Sequence, residues 1–151
     1  MPDLTPLVIF LLLGMKRFTF PKPEHLCLQR DIETLFSAGS HAATVYPLRV
    51  VYRPVAHSGG PAVTVLISVG KRRLHHAVDR NRAKRQIREA YRHHKHVLID
   101  ALPEGVGLHV AFLWLADSPR TTGAVVHSMQ HLLQRLADAA PTLNAPTPCD
   151  A

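Results

Sequence analysis

Cysteine is scarce: Cys27 and Cys149 are the only two in 151 residues, far apart and without a CxxC pattern. Their scarcity argues against a disulfide scaffold and a cysteine-built zinc site, and a reducing cytoplasm is the simplest compartment for such a chain. Long apolar runs are also missing. One of the longest, Leu7 to Leu13, has seven residues, where a spanning helix needs roughly 20. No membrane partner is expected. That run does not read as a secretory signal either, since only the acidic Asp3 precedes it and Gly14-Met15-Lys16-Arg17 follows it. Paired carboxylates, a glycine-rich phosphate loop and a nucleophile elbow are all absent, so no catalytic residue is expected on the chain itself.

Acid is the other shortage, with 11 Asp plus Glu against 18 Lys plus Arg and a formal charge of +7. The imbalance is local. Lys71 to Lys95 holds ten basic residues and two acids, a net +8, and the rest of the chain sums to −1. One basic segment in a neutral body points to a surface for a polyanion. The remainder, in a chain 46% hydrophobic, can build one packed core.

Residues 1–19 read as a loose extension, with Met15 the expected start, residues 20–140 as one domain, and residues 141–151, rich in proline and small side chains, as a disordered tail. Pro21 and Pro23 keep the beginning of the domain extended. A short helix is predicted over Gln29 to Ala38, where Ile32, Leu35 and Phe36 share a face and Gly39 can cap. Thr44 to Arg53 reads as a strand with Pro47 at an edge or bulge. After the turn cluster His57 to Pro61, Ala62 to Val69 reads as a second strand, paired with the first as a hairpin. The basic segment then forms a helix from about Asp79, its expected N-cap, to about Val97. Leu108 to Ala116 is a buried strand. Ser118-Pro119 opens a last helix with an apolar stripe of Val125, Val126, Met129, Leu132, Leu133 and Leu136. The class is α+β: a single small domain with a mixed sheet of about four strands and three helices. By default the strand–helix–strand unit at its centre is a right-handed crossover between parallel strands.

On a helical wheel the basic helix divides in two. Ala83, Ile87, Ala90, Tyr91 and His94 form a narrow docking stripe, while Asn81, Lys84, Arg85, Arg88, Arg92 and Lys95 fill a separate sector of about 100°. Like charges at i, i+4 repel by a few tenths of a kcal/mol, roughly, so this spacing serves something other than helix stability. Guanidinium forks match phosphate oxygens, Lys adds point charge, and Lys71, Arg72 and Arg73 extend the cluster to the helix N-terminus. Asn81 differs from them, since its amide can both donate to a phosphate or 2′-hydroxyl and accept from a sugar or base edge.

The stretch Arg80-Asn81-Arg82-Ala83-Lys84-Arg85-Gln86-Ile87-Arg88-Glu89, behind Ser68-Val69-Gly70-Lys71-Arg72-Arg73, resembles the signature of the bacterial ribonuclease P protein component. The likeness runs from Phe20 to Ala137 and includes Phe20, Lys22, Leu26, Phe36, Gly39 and His131-Leu132-Leu133. It implies a basic subunit that joins a catalytic RNA to remove the 5′ leader from precursor tRNA. The RNA performs the hydrolysis with its own Mg2+; the protein alone, expected to be monomeric, binds no cofactor. RNA-binding candidates are Lys71, Arg72, Arg73, Arg80, Asn81, Arg82, Lys84, Arg85, Arg88 and Arg92. The likeness also implies an α-β-β-β-α-β-α domain with a left-handed crossover around the basic helix, and a cleft on the sheet face for the leader.

This chain has His75-His76 where many members have Gly-Asn, an additional Lys71, and Ile32 where an aromatic side chain is common. Ile32, Phe36, Tyr46 and Tyr52 are the cleft candidates, the tyrosines as stacking surfaces. The histidines of His75 to His96 sit among cations that oppose a metal, so no metal site is expected there. Trp114, in an apolar strand, reads as core. The competing class is a general RNA- or DNA-binding module, for example a ribosome-associated protein, with the same basic helix.

Overall fold

The computed structural model describes residues 24–26, 29–37, 40–56 and 61–143. The expected extension with its start at Met15, the Pro21–Pro23 segment, the Gly39 cap, the His57–Gly60 part of the turn and the tail from residue 144 lie outside the described residues. In chain order the elements are α1 (Gln29–Leu35), β1 (His41–Val45), β2 (Leu48–Ala56), β3 (Val63–Ser68), α2 (Ala77–His94), α3 (His96–Ala101), β4 (Val106–Trp114) and α4 (Thr122–Ala139). A 3-10 turn, Ala140–Thr142, follows α4.

The sheet order is β1-β2-β4-β3. β4 pairs antiparallel with β2 and parallel with β3. The expected hairpin between the second and third strands is therefore replaced: β4 lies between them. Its residues are buried or half-buried throughout, which suits a central strand covered on both faces. Gly105, at φ 77°, takes the left-handed turn into β4.

Where one strand from Thr44 to Arg53 was expected, two strands meet at a tight turn, with a cis peptide at Tyr46-Pro47. Proline offers no N–H to a ladder, and the Pro47 carbonyl instead accepts from the Leu115 N–H at 2.8 Å.

Alternation along the strands sorts the core into two layers. Leu48, Val50, Tyr52, Val63, Val65, Leu108, Val110, Phe112 and Trp114 face one side, where they pack with Ile87, Tyr91, Leu98, Met129, Leu132 and Leu136 of the later helices. Val51 and Ala111 face the other side with Leu26, Leu35 and Ile32, under α1. That second layer is thin, so one sheet face is deeply buried while the other is covered only in part.

Helix boundaries differ from the expected ones in several places. α1 ends at Leu35. α2 begins at Ala77, with His76 as N-cap making no side-chain cap bond; Asp79 lies inside the first turn, where its charge complements the helix dipole. The helical path breaks at Lys95, giving four helices among the described residues where three were expected. The Lys95 ammonium turns inward to the Glu24 carboxylate, 2.8 Å from both oxygens. α4 starts at Thr122, and its cap is the Thr121 hydroxyl, which accepts from the Ala124 N–H at 3.2 Å. The tail does not begin at residue 141 either: Leu143 is buried in the main core, because its apolar side chain extends that core past the end of α4.

Candidate nucleic-acid interface

α2 is held by four buried side chains of the docking stripe, Ala83, Ile87, Ala90 and Tyr91. Tyr91 packs obliquely on Phe112, ring centroids 5.8 Å apart. Burial, and then the nearby Glu24 carboxylate, push its phenol pKa upward. Gln86 is buried too, and its amide donates to the Arg120 carbonyl at 3.0 Å and to the Thr122 hydroxyl at 3.2 Å. These bonds tie the middle of α2 to the start of α4. Sequence reasoning passed over Gln86, although a lone polar residue beside an apolar stripe is the sign of such a tie.

The opposite side of α2 is cationic. Arg82, Arg85, Arg88 and Asn81 are exposed and Lys84 is half-buried. Among the described residues no acid pairs with Arg82, Lys84, Arg85 or Arg88. Arg92 is half-buried and its guanidinium meets Glu89 at 2.7 Å. The basic loop Lys71-Arg72-Arg73 is exposed, and the buried Leu74 fixes its far end. The Arg73 and Leu74 N–H groups both donate to the Gly70 carbonyl. Arg73 reaches Asp117 at 3.1 Å, a pair largely open to solvent and therefore easily exchanged for a phosphate.

Arg80 has a different role. One of its nitrogens donates to the Leu74 and His75 carbonyls at 2.9 and 2.8 Å, so it clamps the loop against the helix start. Lys95 leaves the cationic sector altogether; its side chain is 4% exposed. Loop and helix thus form a continuous strip of positive charge with few fixed counter-ions, the arrangement that binds a phosphate backbone.

The cleft candidates separate. Ile32 is half-buried on α1 against Val51 and Ala111, and Phe36, just past α1, is 49% exposed at the rim. Tyr52 lies on the opposite face, in the main core, its ring 5.4 Å from that of His41. Burial raises its phenol pKa. Tyr46 sits in the β1–β2 turn, with the Arg120 guanidinium 5.0 Å from its ring centre and donating to its hydroxyl at 2.6 Å. Neither tyrosine joins Ile32 and Phe36, because the turn at Pro47 breaks the strand and alternation sends Tyr52 to the helix-covered side.

The residues that do share the α1 face are Arg49, Arg53, Leu66, His109 and Leu113, with Arg49 opposite Leu113 and Arg53 opposite His109 across the β2–β4 ladder. Arg53 donates to the Thr34 carbonyl and the Ser37 hydroxyl, both at 3.2 Å, and so caps the end of α1. His109 has its pKa lowered by burial, partly countered by Asp31. The result is an open, partly apolar groove beside α1 with cations along it. Strand alternation was the available signal for these five, and it becomes usable only once one face is known.

Residues 20–136 match the family model described as Ribonuclease P. The chain is 41% identical over 126 residues to the ribonuclease P protein component of Porphyromonas gingivalis, covering 83% of this chain and 91% of that one. It is 36% identical over 104 residues to that of Chlorobium phaeobacteroides, covering 64% and 70%. The fold is similar to the solved RNase P proteins of Staphylococcus aureus (TM-score 0.59, 20% identity, 74% of this chain and 94% of that one) and Thermotoga maritima (TM-score 0.58, 22% identity, 74% and 96%). With the Arg80–Glu89 signature on an exposed helix face, and a family match over most of the chain, this protein belongs to the bacterial ribonuclease P protein component family.

Proposed function

We infer that this chain, as the RNA-binding subunit of ribonuclease P, uses its two faces for two RNAs. The strip of Lys71, Arg72, Arg73, Asn81, Arg82, Lys84, Arg85, Arg88 and Arg92 holds the ribonuclease P RNA, and the groove beside α1 holds the single-stranded 5′ leader of precursor tRNA. The observation that carries the reading is the one-sidedness of α2: a buried stripe docks it, and Arg82, Arg85 and Arg88 are exposed with no ion pair to an acid among the described residues. Arg80 and Gln86 position this strip by fixing the loop and the helix. Phe36 at the rim and Arg49 in the groove offer a leader one stacking surface and one phosphate partner.

Hydrolysis belongs to the RNA subunit, with Mg2+ held there. Among the described residues no three His, Cys, Asp or Glu side chains converge as metal ligands would. In the free protein, repulsion between exposed α2 faces favours a monomer. No described helix is long and apolar enough to cross a membrane, and the bacterial cytoplasm, where precursor tRNA is made, is the compartment this reading assigns.

The test is reconstitution at low magnesium with the matching RNA subunit and a precursor tRNA. Protein-dependent release of the leader is expected; cleavage by the RNA unchanged by added protein would overturn the reading.

A further inference from the structure

One turn beyond Gln86, the seam between α2 and α4 opens into a pocket of about 600 Å3 lined by Glu89, Ala90, His93, His94, Thr122 and Val126. Clefts that take small ligands span about 300–1,000 Å3. Apolar surface comes from Ala90 and Val126, both packed on the main core, and the polar groups come from two imidazoles, a hydroxyl and a carboxylate. The carboxylate is oriented: Glu89 Oε2 lies 2.7 Å from Arg92 and 3.7 Å from His93 Nε2. Arg92 also donates to His93 at 3.2 Å. Burial, and after it the electrostatic influence of His93 and His96, lower the His94 pKa. A phosphate would meet the Glu89 charge at this pocket; a flat, uncharged ring with hydrogen-bond donors on its edge would not.

We propose that this pocket receives an unpaired guanine of the RNA bound along α2. Guanine alone among the four bases presents an imino and an amino donor side by side, the pattern that two carboxylate oxygens accept together. Imidazole faces supply the stacking surface on which splayed-out RNA bases settle. Arg88 and Arg92 lie within one helical turn of Glu89, so a backbone held by these cations carries a neighbouring base to the pocket. The inference deepens the RNA-binding reading and rests on it for the source of the base.

Nucleosides test it without help from phosphate. The full chain is titrated separately with guanosine, adenosine, cytidine and uridine while the ring signals of His93 and His94 are followed by NMR. Guanosine is expected to shift both signals saturably and to bind about tenfold or more tighter than the other three. Glu89→Gln is expected to remove about tenfold of that preference, and Val126→Phe, which fills the pocket, to abolish the shifts. Equal responses to all four nucleosides, silence of both histidines toward guanosine, or a guanosine response that survives Val126→Phe overturns the proposal. Since Val126→Phe can perturb packing, the exposed Glu89→Gln decides independently: unchanged guanosine preference in that variant also overturns it. Failure of leader cleavage in reconstitution with guanosine binding intact removes the function but not the pocket. Cleavage without guanosine binding does the reverse.

Discussion

Lys95 and Glu24 form a buried ion pair, the ammonium 2.8 Å from both carboxylate oxygens, between side chains 4% and 14% exposed. A lysine that continues the spacing of the α2 cations is thus withdrawn from the cationic surface. It fastens the beginning of the described chain to the junction of α2 and α3. Removing one partner leaves an uncompensated charge, which costs about 3–5 kcal/mol. Lys95→Met and Glu24→Gln should each lower stability by an amount of that order in urea unfolding, and Lys95→Met/Glu24→Leu should recover most of it. Equal stability of single variants and wild type would show that the pair carries no such weight.

Salt dependence separates the two kinds of cation on α2. With about six phosphate contacts, log K for the RNA subunit should fall against log salt with a slope of about −4 to −5. Arg88→Ala should make that slope shallower by nearly one unit. Lys95→Met, in protein shown to be folded, should leave it unchanged. A slope near zero for wild type would contradict the phosphate-contact strip.

Leader binding should distinguish the aromatic residues. Phe36→Ala should weaken binding of a precursor carrying a leader by about 1–3 kcal/mol, the range for one stacked base, and leave mature tRNA unaffected. Tyr52→Phe should change neither, since its ring belongs to the other face. Competition binding with the two RNAs checks both outcomes.

The pH dependence of stability follows from His94 and His109, whose pKa values burial holds below the ordinary 6.5. Below 6.5 the unfolded chain takes up protons that these two folded side chains resist. Stability should therefore be fully present above about 6.5 and fall as pH drops through the lowered folded values. Urea midpoints at pH 7.5 and 5.5 measure the fall, and His94→Gln with His109→Gln should flatten it.

The parts legible in sequence were those with local causes. α2 and α4 announce themselves because eighteen residues of helical period carry each stripe, and the unmixed cations of α2 mark its outer side. Strand order was not legible: β4 enters between β2 and β3 because its apolar residues need cover on both faces, a requirement that the neighbouring strands do not encode. Lys95 misled because its partner lies 71 residues away. Tyr46 and Tyr52 do not reach the α1 face because Tyr46 stands in the Tyr46-Pro47 turn and strand alternation sends Tyr52 into the main core.

β3 stands at one end of the sheet, yet its outer edge is not bare. The Leu26 N–H donates to the Val65 carbonyl at 2.9 Å, and His25 bridges the same residue. An uncovered edge strand offers its carbonyls and N–H groups to any other chain and is a template for aggregation. Two residues ahead of α1 thus act as a guard rail, closing part of the site at which neighbouring copies would otherwise join sheet to sheet.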